Sequence, residues 1–313
     1  MSEKQILLEA EHVVKHFPIR KSLLAKNRTF LHAVDDVSLT VHKGETVGLV
    51  GESGCGKSTL GRCLIGLYQV TDGVIRFHGK EIQNATYHQQ RELRKEQQII
   101  FQDPYAALNP RVTIYQAVKA PLDVFEIGTE AERKEKVEAL LDYVGIGPQH
   151  MNKYPHELSG GQRQRVFIAR ASILNPSFVV CDEPVSALDV SVRSSVLNLM
   201  KKLQAETNVS YLFISHDLSV VRYICDAIIV MYLGKIMEQG TKEELFSHPL
   251  HPYTKALISA IPIPDTHVHK ERILLSSDLP SPINPPKGCR FCTRCPNATK
   301  RCFEEEPHLT AVS

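Results

Sequence analysis

The 313-residue chain carries 37 Lys and Arg against 35 Asp and Glu, a formal charge of +2, and 42% hydrophobic residues. So even a balance gives no electrostatic argument for a nucleic-acid partner, and no apolar run approaches the ~20 residues of a membrane span. The polar opening Met1-Ser-Glu-Lys-Gln lacks the apolar stretch of a secretion signal. A cytoplasmic chain is therefore expected, with any membrane role coming through a partner. Eight cysteines in a reducing compartment favour metal or redox chemistry over disulfides, and four of them crowd into residues 289–302.

In chain order, Leu7 to Val14 reads as an opening strand, followed by Lys15-His16-Phe17-Pro18. Phe17 suits stacking on a nucleotide base or, equally, packing at a strand end. The basic, irregular stretch with Arg20, Lys21, Lys26 and Arg28 is expected to be a solvated loop. Val37 to Val41 alternates as a second strand. Lys43-Gly44-Glu45 turns into the buried run Thr46 to Val50, and Gly51-Glu-Ser53-Gly54-Cys55-Gly56-Lys57-Ser58-Thr59 follows. This is the phosphate-loop pattern in its required setting, between a strand and the helical run Thr59 to Ile65. Glycines let backbone N–H groups converge on an anion, and the helix N-terminus adds its dipole. Lys57 is placed to reach the β- and γ-phosphates, and Ser58 to hold Mg²⁺.

Val74 to Phe77 alternates between two turns, and Glu92 to Glu96 is charged and helix-prone. The strand Gln98 to Phe101 ends in Gln102, an amide that can reach Mg²⁺ or an attacking water, although most such glutamines are simply solvated. Between Thr113 and Tyr154 the periodicity is helical, and Thr129-Glu-Ala-Glu132 fits a capping box for a helix ending near Gly145. Leu158-Ser159-Gly160-Gly161-Gln162 then opens another helix. Ser-Gly-Gly at a helix start is a second anion cradle, and one chain needs only one. Phe178 to Cys181 is a buried strand ending in Asp182-Glu183, where acids face the ligand crevice of an α/β sheet. Asp182 suits Mg²⁺ and Glu183 suits polarising a water. Ordinary surface charge is the plainer reading, disfavoured by the four apolar residues before it. Ser186-Ala-Leu-Asp189 opens a helix through Leu203. The strand Tyr211 to Ser215 ends at His216, placed to sense a γ-phosphate. Ala227 to Met231 and Lys235 to Met237 close a hairpin.

With these motifs in this order, the sequence resembles the ATP-binding-cassette family over about residues 6–245. The resemblance implies an α/β P-loop NTPase core with an inserted helical subdomain near 88–172, within a nucleotide-binding domain of residues 1–245, plus a small Cys-rich extension, 246–313. It implies ATP and Mg²⁺ as ligands, and a pair of cassettes that sandwich ATP between Gly51–Thr59 of one subunit and Leu158–Gln162 of the other. It assigns Glu183, Gln102 and His216 to hydrolysis, Ser58, Gln102 and Asp182 to Mg²⁺, and Phe17 to the base. No catalytic position departs from the family pattern.

His248-Pro-Leu-His-Pro-Tyr-Thr-Lys-Ala-Leu257, Leu279 to Pro286, Gly288 to Pro296 and the long Phe17–Ala33 loop resemble the second ATPase of oligopeptide/dipeptide importers. That implies a homologous ATPase partner in a heterodimer, two transmembrane permeases and an extracytoplasmic peptide-binding protein. It places the chain on the cytoplasmic face of the cell membrane, without nucleic acid. Nickel or another small solute as cargo, or a soluble cassette acting on ribosomes or DNA, are the competing readings.

Cys289-x₂-Cys292-x₂-Cys295-x₆-Cys302 gathers four thiols. The first three resemble the run that binds iron–sulfur clusters, while zinc more often takes two separated C-x₂-C pairs. A 4Fe–4S centre is favoured, with Zn²⁺ and free or disulfide cysteines as alternatives. The family resemblance supports Cys289, Cys295 and Cys302 as ligands; Cys292 stands where many members carry another residue. Lys287, Arg290, Arg294, Lys300 and Arg301 are expected to balance an anionic site. The stretch has few apolar side chains and lies far in sequence from every ATP motif, so a structural or docking role is expected. Cys55, Cys63, Cys181 and Cys225 read as small core or loop residues.

Overall fold

A computed structural model describes residues 5–19, 29–103, 108–262, 272–275 and 279–312. They form two compact units, one built from the chain up to Asn84 and from Phe213 onward, the other from Ala85–Leu212.

The first unit opens with two 14-residue antiparallel strands, β1 (Ile6–Ile19) and β2 (Thr29–His42). Both run further than expected. Phe17 pairs with Leu31 and Pro18 with Phe30, so much of the stretch read as a long loop is strand. Shifts in register along β1 hide this from a period-two reading. The basic residues Arg20 to Arg28 lie outside the described residues. β4 (Asp72–Phe77) pairs with the other edge of β1, and β5 (Lys80–Glu81) extends the sheet, giving the order β2-β1-β4-β5. Between these pieces, β3 (Thr46–Val50) is buried at every residue and leads into α1 (Lys57–Leu64).

The second unit starts with α2 (Tyr87–Glu96), whose Thr86–Gln89 capping box sets a start earlier than the charged run suggests. β6 (Gln97–Ile100) pairs in parallel with β7 (Phe178–Asp182), Ile100 opposite Cys181. Between them come α3 (Ile114–Val124), α4 (Glu130–Tyr143) and α5 (Gly160–Ser172). The Thr129–Glu132 capping box opens α4 as read, burying Val137 and Leu141. α6 (Val190–Thr207) runs four residues beyond Leu203, to a left-handed Asn208.

The chain re-enters the first unit within β8 (Ser210–Ser215). α7 (Leu218–Ile224) leads to β9 (Ala227–Tyr232), which pairs in parallel with β3 and antiparallel with β10 (Lys235–Thr241). α8 (Lys242–Ser247), α9 (Pro252–Ser259) and α10 (Lys300–Glu304) complete the fold. The turn between β9 and β10 is stitched to both neighbours: Gly234 N–H donates to Cys55 O, and Asp35 N–H to Gly234 O, each at 2.9 Å.

Candidate active site

The phosphate loop joins β3 to α1 and is fixed by close backbone approach. A Cβ on Gly51 would lie 2.1 Å from Met231 O, and one on Gly56 2.0 Å from Ala33 O; both positions have positive φ. Only glycine fits there. Lys57 is 5% exposed, and its ammonium donates to the carbonyls of Gly51 and Glu52, each at 2.8 Å. Ser53 and Gly54 are exposed, while Ser58 and Thr59 are half-buried in the first turn of α1. Cys55 and Cys63 are buried, and burial pushes both thiols up, Cys63 to about 12. Such thiols are protonated packing groups rather than nucleophiles. Phe17 is half-buried, with Lys15 Nζ 4.8 Å from its ring centroid and Tyr68 edge-on at 5.6 Å. His216 is exposed at the end of β8, as read.

In the second unit, Asp182 is 2% exposed at the end of β7. Glu183 follows at φ 49°, in the left-handed region, and its carboxylate Oε2 accepts a 3.0 Å hydrogen bond from Gln102 Nε2. Two residues read separately are thereby one pair. The Leu158–Gln162 stretch caps α5: Ser159 Oγ accepts from Gln162 N–H at 3.3 Å, and Gln162 Oε1 accepts from Ser159 N–H at 3.0 Å. That leaves Gly160 and Gly161 to present the helix N-terminus.

The extension differs most from expectation. Its short cysteine stretch has an apolar anchor: Phe291 is fully buried, with ring centroids 5.2 Å from Tyr232 and 5.3 Å from Tyr253. Nor do its arginines stand free for an anion. Arg290 pairs with Asp35 of β2, and Arg294 Nη1 donates to both oxygens of Glu52 in the phosphate loop, at 3.0 and 2.8 Å. Lys300 and Arg301 face Glu304 and Glu305. The four cysteines lie on one small loop closed by a hydrogen bond from Cys289 N–H to Cys302 O, 2.8 Å. Nε and Nη1 of Arg290 and Nε of Arg294 are buried with no protein acceptor. Sequence reasoning missed Glu52, Asp35, Tyr253, Arg290 and Arg294 as neighbours of the site; contacts spanning 201 to 255 residues leave no local signal.

Among the described residues, His16, His32 and Asp35 alone bring three metal-type ligand atoms within 4.8 Å of one another. His16 Nε2 and His32 Nδ1 sit 3.3 and 3.6 Å from the Asp35 carboxylate, which Arg290 already occupies. A guanidinium on the one carboxylate disfavours a dication there. Burial, with His16 and Arg290 nearby, holds His32 below its ordinary value.

Two family models match the chain: ABC transporter over residues 34–186, and the C-terminal region of oligopeptide/dipeptide transporters over residues 237–302. The oligopeptide transport ATP-binding protein AppF of Bacillus subtilis is 53% identical, over 98% of this chain and 94% of its own length. The dipeptide transport ATP-binding protein DppF of Haemophilus influenzae is 50% identical, over 99% and 94%. Among solved structures, a dimeric ATP-binding cassette in a post-hydrolysis state with ADP and phosphate superposes with TM-score 0.68 at 27% identity, covering 75% of this chain and 99% of that one. The cbiO1 protein of Clostridium perfringens, part of an ABC transporter complex, gives 0.67 at 28% identity, over 78% and 92%.

Proposed function

The chain belongs to the ABC transporter family, among its oligopeptide and dipeptide ATP-binding subunits, and we propose that it works as one of a pair of cassettes on two permeases. It is an ATPase whose hydrolysis powers the import of peptides. The observation that carries this reading is the phosphate loop, with its side-chain-free glycine positions and buried Lys57. In the proposed division of labour, Lys57 and the N–H groups of Gly51–Thr59 hold the phosphates, and Ser58, Asp182 and Gln102 serve Mg²⁺. Glu183 orients or deprotonates the attacking water, His216 senses the γ-phosphate and Phe17 meets the base. Ser159 to Gln162 serve the ATP of a homologous partner. A peptide-binding protein outside the cell would deliver cargo. No described helix is long and apolar enough to cross a membrane, so attachment to its cytoplasmic face would come through the permeases.

Cys289, Cys292, Cys295 and Cys302 are proposed to hold a 4Fe–4S centre. The donor set fits: four cysteine thiols within residues 289–302, on a loop closed by the Cys289–Cys302 backbone hydrogen bond, are the ligand type such clusters take. Such a centre would supply order to a small loop. Iron and acid-labile sulfide in nearly equal amounts from anaerobic protein would support it; stoichiometric zinc without sulfide would replace it.

The function is tested by isolating the chain with its native partners. Two polytopic membrane proteins should co-purify, and labelled-peptide uptake by the reconstituted complex should stop with Lys57→Ala, which weakens ATP binding by about 10- to 100-fold. Co-purification with ribosomes instead would overturn it.

A further inference from the structure

Two parts of the extension play no role in the division of labour above: the His248–Leu257 run and the arginines between the cysteines. Both end on one residue of the phosphate loop. Tyr253 Oη accepts the backbone N–H of Glu52 at 2.9 Å, and Arg294 holds the Glu52 carboxylate through both its oxygens. The same guanidinium nitrogen lies 3.5 Å from Tyr232 Oη. Tyr232, Tyr253 and Phe291 are fully buried and pack ring against ring, and Arg294 is 8% exposed. The anchor therefore cannot swing aside without unpacking that cluster.

We infer that Arg294 is a positioning residue for nucleotide binding: by neutralising and holding back the Glu52 carboxylate, it keeps the phosphate loop receptive to a polyphosphate. The inference rests on the reading of Gly51–Thr59 as the ATP cradle. A carboxylate next to Gly51 carries the same sign as the ligand, and like charges brought together oppose binding. Lys57, whose ammonium rests 2.8 Å from the Glu52 carbonyl, is the cation a released carboxylate would capture. That would draw it away from the phosphates. Arg294 stands between Cys292 and Cys295, so whatever orders the cysteine loop also sets this ion pair. Nucleotide affinity thus depends on a loop that is remote in sequence and contributes no residue to the phosphate loop.

The test is a double-mutant cycle on the full chain, reading the Kd of a fluorescent ATP analogue beside a thermal melt. Arg294→Ala should weaken binding about 5- to 20-fold, the size of coupling seen between contacting charged residues. With Glu52→Gln already present, the same change should cost less than about twofold. Arg294→Lys, which keeps the charge, should recover part of the loss. Cys295→Ser should weaken binding like Arg294→Ala and be relieved by the same Glu52→Gln change, which provides a second route if Arg294→Ala fails to fold. Unchanged affinity in Arg294→Ala, or an equal loss with and without Glu52, would overturn the inference. A wild-type chain that binds no ATP analogue would overturn the nucleotide reading itself, a separate and distinguishable failure.

Discussion

Gln102 and Glu183 form a hydrogen-bonded pair across 3.0 Å, each two residues beyond a matched pair of strand residues, Ile100 and Cys181. The parallel register of β6 and β7 thus delivers an amide donor to a carboxylate held at φ 49°. The amide N–H fixes the orientation of the carboxylate that is proposed to face the attacking water. Glu183→Gln should still bind ATP but lower turnover by about 10²- to 10⁴-fold in the assembled transporter and trap a closed cassette pair. Gln102→Ala, which frees the carboxylate to rotate, should cause a smaller loss of turnover. Near-normal turnover of Glu183→Gln would remove the residue from hydrolysis.

Ser159 has two duties that can be separated. As the cap of α5 its hydroxyl stabilises the helix, so Ser159→Ala should cost about 1 kcal/mol in the isolated chain. In a mixed complex it should impair hydrolysis of the ATP held by the partner's phosphate loop. Loss confined to this chain's own loop-bound ATP would contradict the sandwich.

Backbone proximity makes a graded prediction for two glycines of one loop. Gly56→Ala places a methyl group 2.0 Å from Ala33 O and should abolish ATP binding or the folded state. Gly54→Ala meets nothing within 4 Å but keeps φ +81°, so it should cost only about 1–2 kcal/mol. Melting curves of the two variants compare them directly, and equal losses would contradict the packing described.

His251 predicts a pH dependence. Its Nδ1 caps α9 by accepting from Tyr253 N–H, and burial holds its pKa below the ordinary 6.5. The unfolded chain then binds the proton more readily than the folded one. Its contribution is complete above pH 6.5 and is lost as pH falls from there through the depressed folded value. His251→Asn, which retains a capping oxygen but does not titrate, should flatten the wild-type decline in melting temperature between about pH 7 and 5. An identical decline in both proteins would place the acid sensitivity elsewhere.

Much of the site was legible because its signals are local. The phosphate loop, the Ser159 helix start and the Asp182–Glu183 strand end each lie within a few residues whose spacing dictates backbone shape. Thr129–Glu132 named its helix start for the same reason. Thr86–Gln89 carries the same type of signal, one that the charged run after it masks. The lengths of β1 and β2 were not legible, because shifts in register break the alternation. Nor was the cysteine loop's location: its aromatic anchor is Phe291, and the partners Tyr232 and Tyr253 are distant in sequence. The cysteine stretch is remote from every ATP motif along the chain, yet Arg294 within it reaches Glu52 of the phosphate loop.

The ring trio of Tyr232, Tyr253 and Phe291 also limits how this protein can be cut and recombined. Tyr232 ends a strand of the cassette, while its two neighbours come from the tail. A chain shortened after β10 would lay the Tyr232 ring bare and leave the Glu52 N–H without its acceptor, and should associate with itself in solution. A chimera that grafts a foreign tail onto this cassette inherits the same difficulty unless Tyr232 and Glu52 are exchanged along with it. The transferable piece is therefore discontinuous, with its seams at the phosphate loop and the β9–β10 turn rather than where the recognisable cassette motifs end.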